Sequence, residues 1–349
     1  MRQRLDIDNK KQNVPFFILS IVLILILIGV IIFAINKSNQ ESAGNTQGTD
    51  LDTDTESEYP EKWQEGVISY KGKYYQFNND INTYLFLGID KDEQSSQIEG
   101  VAKGGQSDAM FLLVTNADDE TLSVISINRN AMTQVELFGE TGASLGTTTA
   151  QICTQHSFGD GLHLSCSRTV EAVKYLFYNL PIDGYLSMTM GAMPVLNDAV
   201  GGVTVTVLED IVNEGAGVNL KEGETVTLQG MEAYYYLRAR DQEEFDSATN
   251  RLRRQEQYIA GLMAELKAVA QSGTSKALEL YQSIEEHIVT NVDFVSFISE
   301  LKSYEYEESR LYTVPGETVM GEKFEEYHVD DTALYDLIIQ VFYEEVSAK

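Results

Sequence analysis

Residues 14–35 (VPFFILSIVLILILIGVIIFAI) run for twenty-two positions without a charge, and no other stretch constrains the chain as much. At about 1.5 Å per residue, a helix of that length crosses the roughly 30 Å hydrocarbon core of a bilayer. The apolar region of a cleaved signal peptide is only about 7–15 residues long. No small-x-small cleavage pattern closes this run, which ends Phe33-Ala34-Ile35-Asn36-Lys37, so the segment reads as an uncleaved anchor. Arg2, Arg4, Lys10 and Lys11 precede it, and only Lys37 closely follows. Basic flanks stay on the cytoplasmic side. Residues 1–13 are therefore expected as a cytoplasmic tail, with everything from Asn36 onward outside the cell, and no second stretch qualifies as a span.

Residues 36–60 are rich in Ser, Thr, Asn, Gln, Asp and Glu, and Leu51 is their only large aliphatic residue. Such a segment cannot bury a core and is expected as a disordered tether. The chain then turns apolar and aromatic. Residues 61–80 read as a small hairpin about Lys71-Gly72-Lys73, residues 81–272 as the main domain, and residues 273–349 as a helical extension of that domain. Residues 82–89 form a continuous apolar run that suits a buried strand. Residues 110–115 and 121–127, separated by Asn116-Ala117-Asp118-Asp119-Glu120, read as a hairpin. Residues 139–161 read as loop with a short helix. Helical spacing recurs over 165–178, 229–240, 252–270, 276–285, 292–301 and 332–344, with further strands over 183–190, 203–207 and 311–314. Strands interleaved with helices predict an α/β fold with a mixed central sheet flanked by helices.

The chain carries 54 Asp and Glu against 25 Lys and Arg, a net charge of −29. A nucleic-acid binder would present a broad basic face, so nucleic acid is excluded as a partner. Against that background Arg238, Arg240, Arg251, Arg253 and Arg254 crowd into seventeen residues, half of the arginines in the chain. The planar guanidinium fork matches phosphate and carboxylate geometry, so the cluster reads as a site for phosphate or pyrophosphate. The competing reading is a salt-bridged helix neutralised by Asp241, Glu243, Glu244, Asp246 and Glu256.

Chemistry on a phosphate ester requires donors to the phosphoryl oxygens, usually a divalent cation, and a positioned nucleophile. Asp90 follows one strand, Asp108 precedes the next, and Arg129 leaves the third, so the three can converge on one edge of a sheet. Cys153 and Cys166 lie thirteen residues apart on the exported side. With no zinc-like Cys/His spacing nearby, they read as a disulfide, with two free buried thiols as the alternative.

The stretches LFLGID, GGQSDAM, SINRNAM and YYYLRAR…NRLRRQ resemble, in order, motifs of the LytR–CpsA–Psr proteins, over about residues 81–266. Members of that family are extracytoplasmic phosphotransferases that move anionic glycopolymers, such as teichoic acids or capsule, from a polyprenyl pyrophosphate carrier to peptidoglycan. The resemblance implies that Asp90 and Asp108 hold Mg²⁺. It also implies that Arg129, Arg238, Arg240, Arg251 and Arg254 bind the pyrophosphate, that Gln255 orients the last arginine, and that Asp108, Arg129, Arg238 and Arg240 carry the catalysis. Neither aspartate has an obvious Lys or Arg neighbour on a helix face, which suits a cation rather than a salt bridge. Arg253 has no counterpart and reads as a solvated helix residue. Two departures stand out. Asn130 replaces a family aspartate, and Gln151-Ile152-Cys153 replaces Lys-Ile-Asn. An apolar groove for the lipid could draw on Tyr175, Leu176, Phe177, Leu196, Tyr234, Tyr235, Tyr236 and Ile259. A polyprenyl pyrophosphate phosphatase and a noncatalytic lipid-pyrophosphate-binding or scaffold protein remain as alternatives.

Overall fold

The computed structural model describes residues 67–347 apart from 101 and 242. The expected cytoplasmic tail, membrane anchor and tether lie outside the described residues. Among the described residues, no helix is long and apolar enough to cross a membrane.

A six-stranded sheet forms the centre, in the order Ile288–Thr290, Gly184–Thr189, Ile81–Ile89, Ser107–Asn116, Thr121–Ser126, Glu305–Thr313. Ser107–Asn116 is antiparallel to both of its neighbours, Gly184–Thr189 runs parallel to Ile81–Ile89, and Glu305–Thr313 runs parallel to Thr121–Ser126. The sheet is mixed, as the alternation of strands and helices predicts. The period-2 geometry of a strand sends successive side chains to opposite faces and so divides the apolar runs between two cores. Leu85, Leu87, Met110, Leu112, Val114 and Ile125 enter one core. Phe111, Leu113, Leu122 and Val124 enter the other, with Tyr84 and Phe86 packed against it.

Helices cover both faces. His163–Leu176 and Asp331–Phe342 pack on the first core, and the long helix Ser247–Ser272 packs on the second with Met231–Arg238, Thr274–Ile284 and Phe294–Glu300. The long helix stops at Gly273, whose φ of 103° suits glycine alone. It buries Leu252, Tyr258, Leu262, Met263 and Leu266 along one stripe.

Three differences from the sequence reading have simple causes. Ser144–Gln151, read as loop, is a strand paired with Met132–Phe138. It is exposed for most of its length, so it lacks the apolar alternation that marks a strand. The segment 273–349 supplies helices but also both edge strands of the central sheet and the hairpin Gly316–Met320/Glu325–Val329. The hairpin about Lys71-Gly72, both at positive φ as a tight type I′ turn requires, gains a third strand, Tyr343–Val346.

Candidate active site

The site forms where strands end. Asp90 directly follows Ile81–Ile89, and Arg129 lies three residues beyond Thr121–Ser126. These strands are parallel, so both residues emerge at the same edge, where open α/β sheets bind ligands. Asp108 reaches that edge through a bulge. Gly88 pairs with Ala109 and Ile89 with Ser107, leaving Asp108 as the extra residue, and a bulge re-aims a side chain in this way. The connecting loop folds back on Asp90, whose Oδ1 accepts the Gln106 N–H at 2.6 Å. Gly105, at φ 84°, makes that return possible, since a Cβ there would lie 2.8 Å from Ile89 Cγ2. Buried His156 holds the loop from behind, with Nδ1 3.1 Å from the Gly105 carbonyl.

Asp108 is bracketed by guanidinium groups. Arg251 Nη1 donates to Oδ2 at 2.7 Å, and Arg129 Nε lies 2.8 Å from Oδ1. This corrects the expectation that Asp108 lacks basic neighbours. The pairing arises because the long helix brings Arg251 back over the sheet, across 143 positions of sequence. The Arg129 contact is close but misaligned, and both Asp108 Oδ1 and Arg129 Nε are buried without a hydrogen bond. Burial, with Asp108 as a second cause, pushes the Asp90 carboxyl above its usual range, against the Gln106 N–H. Burial also pulls the Arg251 guanidinium below its ordinary value, with Asp108 opposing.

Arg129 is aimed by neutral groups. It donates to Gln106 Oε1 and, at 3.1 Å, to Asn130 Oδ1, which also accepts from Gln151 Nε2 at 3.1 Å. Both departures from the family motifs, Asn130 and Gln151, thus form one small network around this arginine.

The arginine cluster divides. Arg238, Arg240 and Arg251 line one polar pocket of about 830 Å³ together with Asp90, Gln106, Asp108, Arg129, Asn130, Gln151, Lys323 and Glu325. Arg238 also pairs with Asp92 at 3.1 Å, and Arg240 donates through Nε to Ser247 Oγ at 2.8 Å. Arg254 is not among these lining residues, a correction to its expected role. It is 1% exposed, donates through Nε to the Tyr236 carbonyl at 2.8 Å, and contacts Ala239 O and Glu209. It therefore ties down the end of Met231–Arg238 from which Arg238 and Arg240 project. Burial lowers its pKa to about 10. Gln255 is corrected likewise, because its amide donates to the Leu237 carbonyl at 3.4 Å and it lines an apolar cavity instead. Arg253 is exposed, as read from the sequence.

Glu325, Lys323, Phe324 and Met320 come from the hairpin Gly316–Met320/Glu325–Val329 and its turn, and Phe245 from the loop before the long helix. Sequence reasoning missed them all. Glu325 lies 71 positions beyond the last motif arginine (325 − 254), and nothing local marks it.

Two carboxylates do not make an all-protein metal cage. Among the described residues, no group of three or more His, Cys, Asp or Glu could hold a metal. Mg²⁺, however, is commonly held by one or two carboxylates, phosphate oxygens and water. The orphaned Asp108 Oδ1 beside Asp90 is a donor set that fits such a shared ion.

The expected disulfide is corrected. Cys153 and Cys166 are both buried free thiols. Cys153 Sγ lies 3.9 Å from Gln106 Oε1, and Cys166 Sγ lies 4.0 Å from His156 Nε2, so each packs in its own surroundings. Burial raises them to about 11 and about 12 respectively, which keeps both neutral.

Beside the polar pocket, between the sheet and the long helix, lies an apolar cavity of about 110 Å³. Gly88, Ala109, Leu237 and Gln255 line it, one to four residues along the chain from Asp90, Asp108, Arg238 and Arg251. Of the expected groove residues, Leu196 and Ile259 line it. Tyr234, Tyr235 and Tyr236 belong to the surrounding core. Leu176 and Phe177 lie in the core on the opposite face of the sheet, and Tyr175 is exposed.

The LytR_cpsA_psr family profile matches residues 36–338. A polyisoprenyl-teichoic acid–peptidoglycan teichoic acid transferase, TagU of Oceanobacillus iheyensis, is 27% identical over 321 residues, covering 90% of this chain and 89% of the relative. The crystal structure of B. subtilis TagV aligns with a TM-score of 0.58 at 22% identity, over 75% of this chain and 96% of TagV. The structure of TagT bound to LI-WTA aligns with a TM-score of 0.56 at 20% identity, over 75% of this chain and 90% of TagT. The shared fold and the profile, which spans most of the chain, agree with the motifs gathered at the strand ends, and the chain belongs to the LytR–CpsA–Psr family.

Proposed function

We propose that this protein is a membrane-anchored, extracytoplasmic phosphotransferase that moves an anionic glycopolymer of the teichoic acid class from a polyprenyl pyrophosphate carrier to peptidoglycan. The observation that carries this reading is that residues one to four positions apart on the same strands and helices line a guanidinium-rich polar pocket and an apolar cavity. A polyprenyl pyrophosphate has that same division, a doubly anionic head on a hydrocarbon chain. The anchor at residues 14–35 would hold the domain at the outer membrane surface, where such a carrier resides. The names of the transferase relatives support the substrate class.

In this reading the pyrophosphate lies across Arg129, Arg238, Arg240 and Arg251. These groups meet its oxygens with charge-assisted, partly bidentate hydrogen bonds. Asp108 holds Arg129 and Arg251 at the pocket, and Asn130 with Gln106 sets the direction of Arg129. Asp90 and Asp108 would hold Mg²⁺, which supplies charge neutralisation at the phosphoryl oxygens. Leu237 and its apolar neighbours exclude water from the carrier side.

The test uses the purified protein with a polyprenyl pyrophosphate-linked oligosaccharide and peptidoglycan fragments. The expected products are a phosphodiester-linked adduct and polyprenyl monophosphate, with the yield raised by Mg²⁺ and abolished by EDTA. Release of sugar phosphate without an adduct would make it a phosphatase, and binding with no turnover would make it a scaffold.

A further inference from the structure

The carboxylates around the polar pocket are engaged to different degrees. Asp108 is held between two guanidinium groups, and Asp90 Oδ1 accepts the Gln106 N–H. Glu243 and Glu244 are exposed on the loop before the long helix. Glu325 differs from all four. It is fixed, with its side chain 11% exposed. Its Oε1 accepts the Asp246 N–H at 2.8 Å, and its carbonyl accepts Gln151 Nε2 at 2.8 Å. Its strand pairs with Gly316–Met320, and Tyr327, two residues on, donates its N–H to the Asn130 carbonyl at 2.9 Å. Yet among the described residues Oε2 meets only Arg240 Nη2, at a long 3.5 Å. A rigid carboxylate that lines the pocket, with one oxygen held only by a long contact to an arginine of the same pocket, has the geometry of a proton acceptor.

We propose that Glu325 is the general base of the transfer, a role that rests on the phosphotransferase reading above. The acceptor hydroxyl donates its proton to Glu325 Oε2 as its oxygen forms a bond to the sugar-side phosphorus. The bond from that phosphorus to the bridging pyrophosphate oxygen breaks, and polyprenyl monophosphate leaves with the electron pair. The proton on Glu325 then passes to solvent or to the departing phosphate, so that charge and atoms balance. Arg240 and Asp246 contact Glu325, and the other charged groups lining the same pocket are Lys323, Glu243, Glu244, Asp90, Asp108, Arg129, Arg238 and Arg251. Titration of the carboxylates among them adds to any profile, so the variant is read against the wild type.

The experiment compares wild type, Glu325→Gln, Glu325→Asp and Glu325→Ala for transfer kinetics across pH, donor binding and melting temperature. Losing a positioned base costs about 10²–10⁴ in kcat. Glu325→Gln is expected to lose at least a hundredfold in kcat with donor affinity within about threefold, and to lose the acidic limb of the pH–rate profile. Glu325→Asp, which keeps a carboxylate, should recover part of the rate and the limb. Formate should accelerate Glu325→Ala but not wild type. A kcat within threefold of wild type in Glu325→Gln would overturn the proposal. So would an acidic limb that survives in that variant, or a loss confined to donor KM, which would make Glu325 only a holder of Arg240. If Glu325→Gln fails to fold, the Asp variant and the formate response decide. Absence of transfer by the wild type would instead sink the phosphotransferase reading itself.

Discussion

Asp108 Oδ2 accepts a hydrogen bond from Arg251 Nη1 at 2.7 Å, joining the start of a central strand to the long helix. Arg251 is 5% exposed, so this contact neutralises a guanidinium that is largely withdrawn from water even though it lines the pocket. Asp108→Ala should therefore destabilise the fold as well as the chemistry. Breaking a buried pair from one side costs about 3–5 kcal/mol. Asp108 retains some solvent contact, which lowers the expectation to roughly 2–4 kcal/mol. In an Arg251→Met background the same change should cost at least about 1 kcal/mol less. Urea unfolding of the four members of the cycle measures this, and strict additivity would mean that the pair contributes nothing.

Arginines that contact ligand and arginines that hold the scaffold should separate on Lys substitution. Arg238→Lys and Arg240→Lys keep the charge and lose the planar fork. Charge-assisted hydrogen bonds are worth about 1.5–3 kcal/mol, so each change should weaken polyprenyl pyrophosphate binding roughly tenfold or more with little change in melting temperature. Arg254→Lys should do the reverse at the level of stability, costing about 2 kcal/mol or more as its contacts to Tyr236 and Ala239 go unmade. Arg253→Lys is the silent control. Equal binding by Arg238→Lys, Arg240→Lys and Arg253→Lys would end the pyrophosphate assignment.

Asn130 serves as an acceptor for both Arg129 and Gln151. A carboxylate accepts equally well, so Asn130→Asp should leave turnover within a few-fold of wild type. Asn130→Ala removes the acceptor and should lower turnover about tenfold, by the roughly 1.5 kcal/mol of one hydrogen bond to a charged group. Inactivation by Asn130→Asp would show that the site is built around the neutral amide.

His156 makes stability depend on pH. Burial pulls its pKa down to about 4 against the Gly105 and Gly104 backbone contacts, which favour the charged form. The unfolded chain takes up that proton near pH 6.5, the folded chain only near 4. The contribution is therefore complete above about pH 6.5 and is lost progressively down to about pH 4, amounting to about 3 kcal/mol. Urea midpoints across this window should fall more steeply for wild type than for His156→Gln. Parallel curves would mean that the histidine does not govern acid unfolding.

The motif residues on strand ends were legible in the sequence because hydrophobic runs mark where strands stop, and Asp90 and Arg129 follow those runs directly. The mixed sheet was legible for the same reason, through alternation and intervening helical spacing. Clustering also placed five arginines within seventeen residues, but spacing alone could not say which of them faced the pocket. On a helix Arg251 and Arg254 are near neighbours on one side. Only the packing of the long helix against Met231–Arg238 turns Arg254 into a buried tie and leaves Arg251 over Asp108. The two cysteines show the same limit, since thirteen residues of separation permit a bond that their separate burial does not make. Glu325 was invisible for a stronger reason. A single glutamate in an acidic chain carries no local signal, and its place beside Arg240 comes from a hairpin that reaches the site only when the distant C-terminal segment completes the sheet. Local patterning thus determined the elements and the chemistry the chain could support. Long-range packing, which depends on contacts no short window contains, decided which charged groups meet.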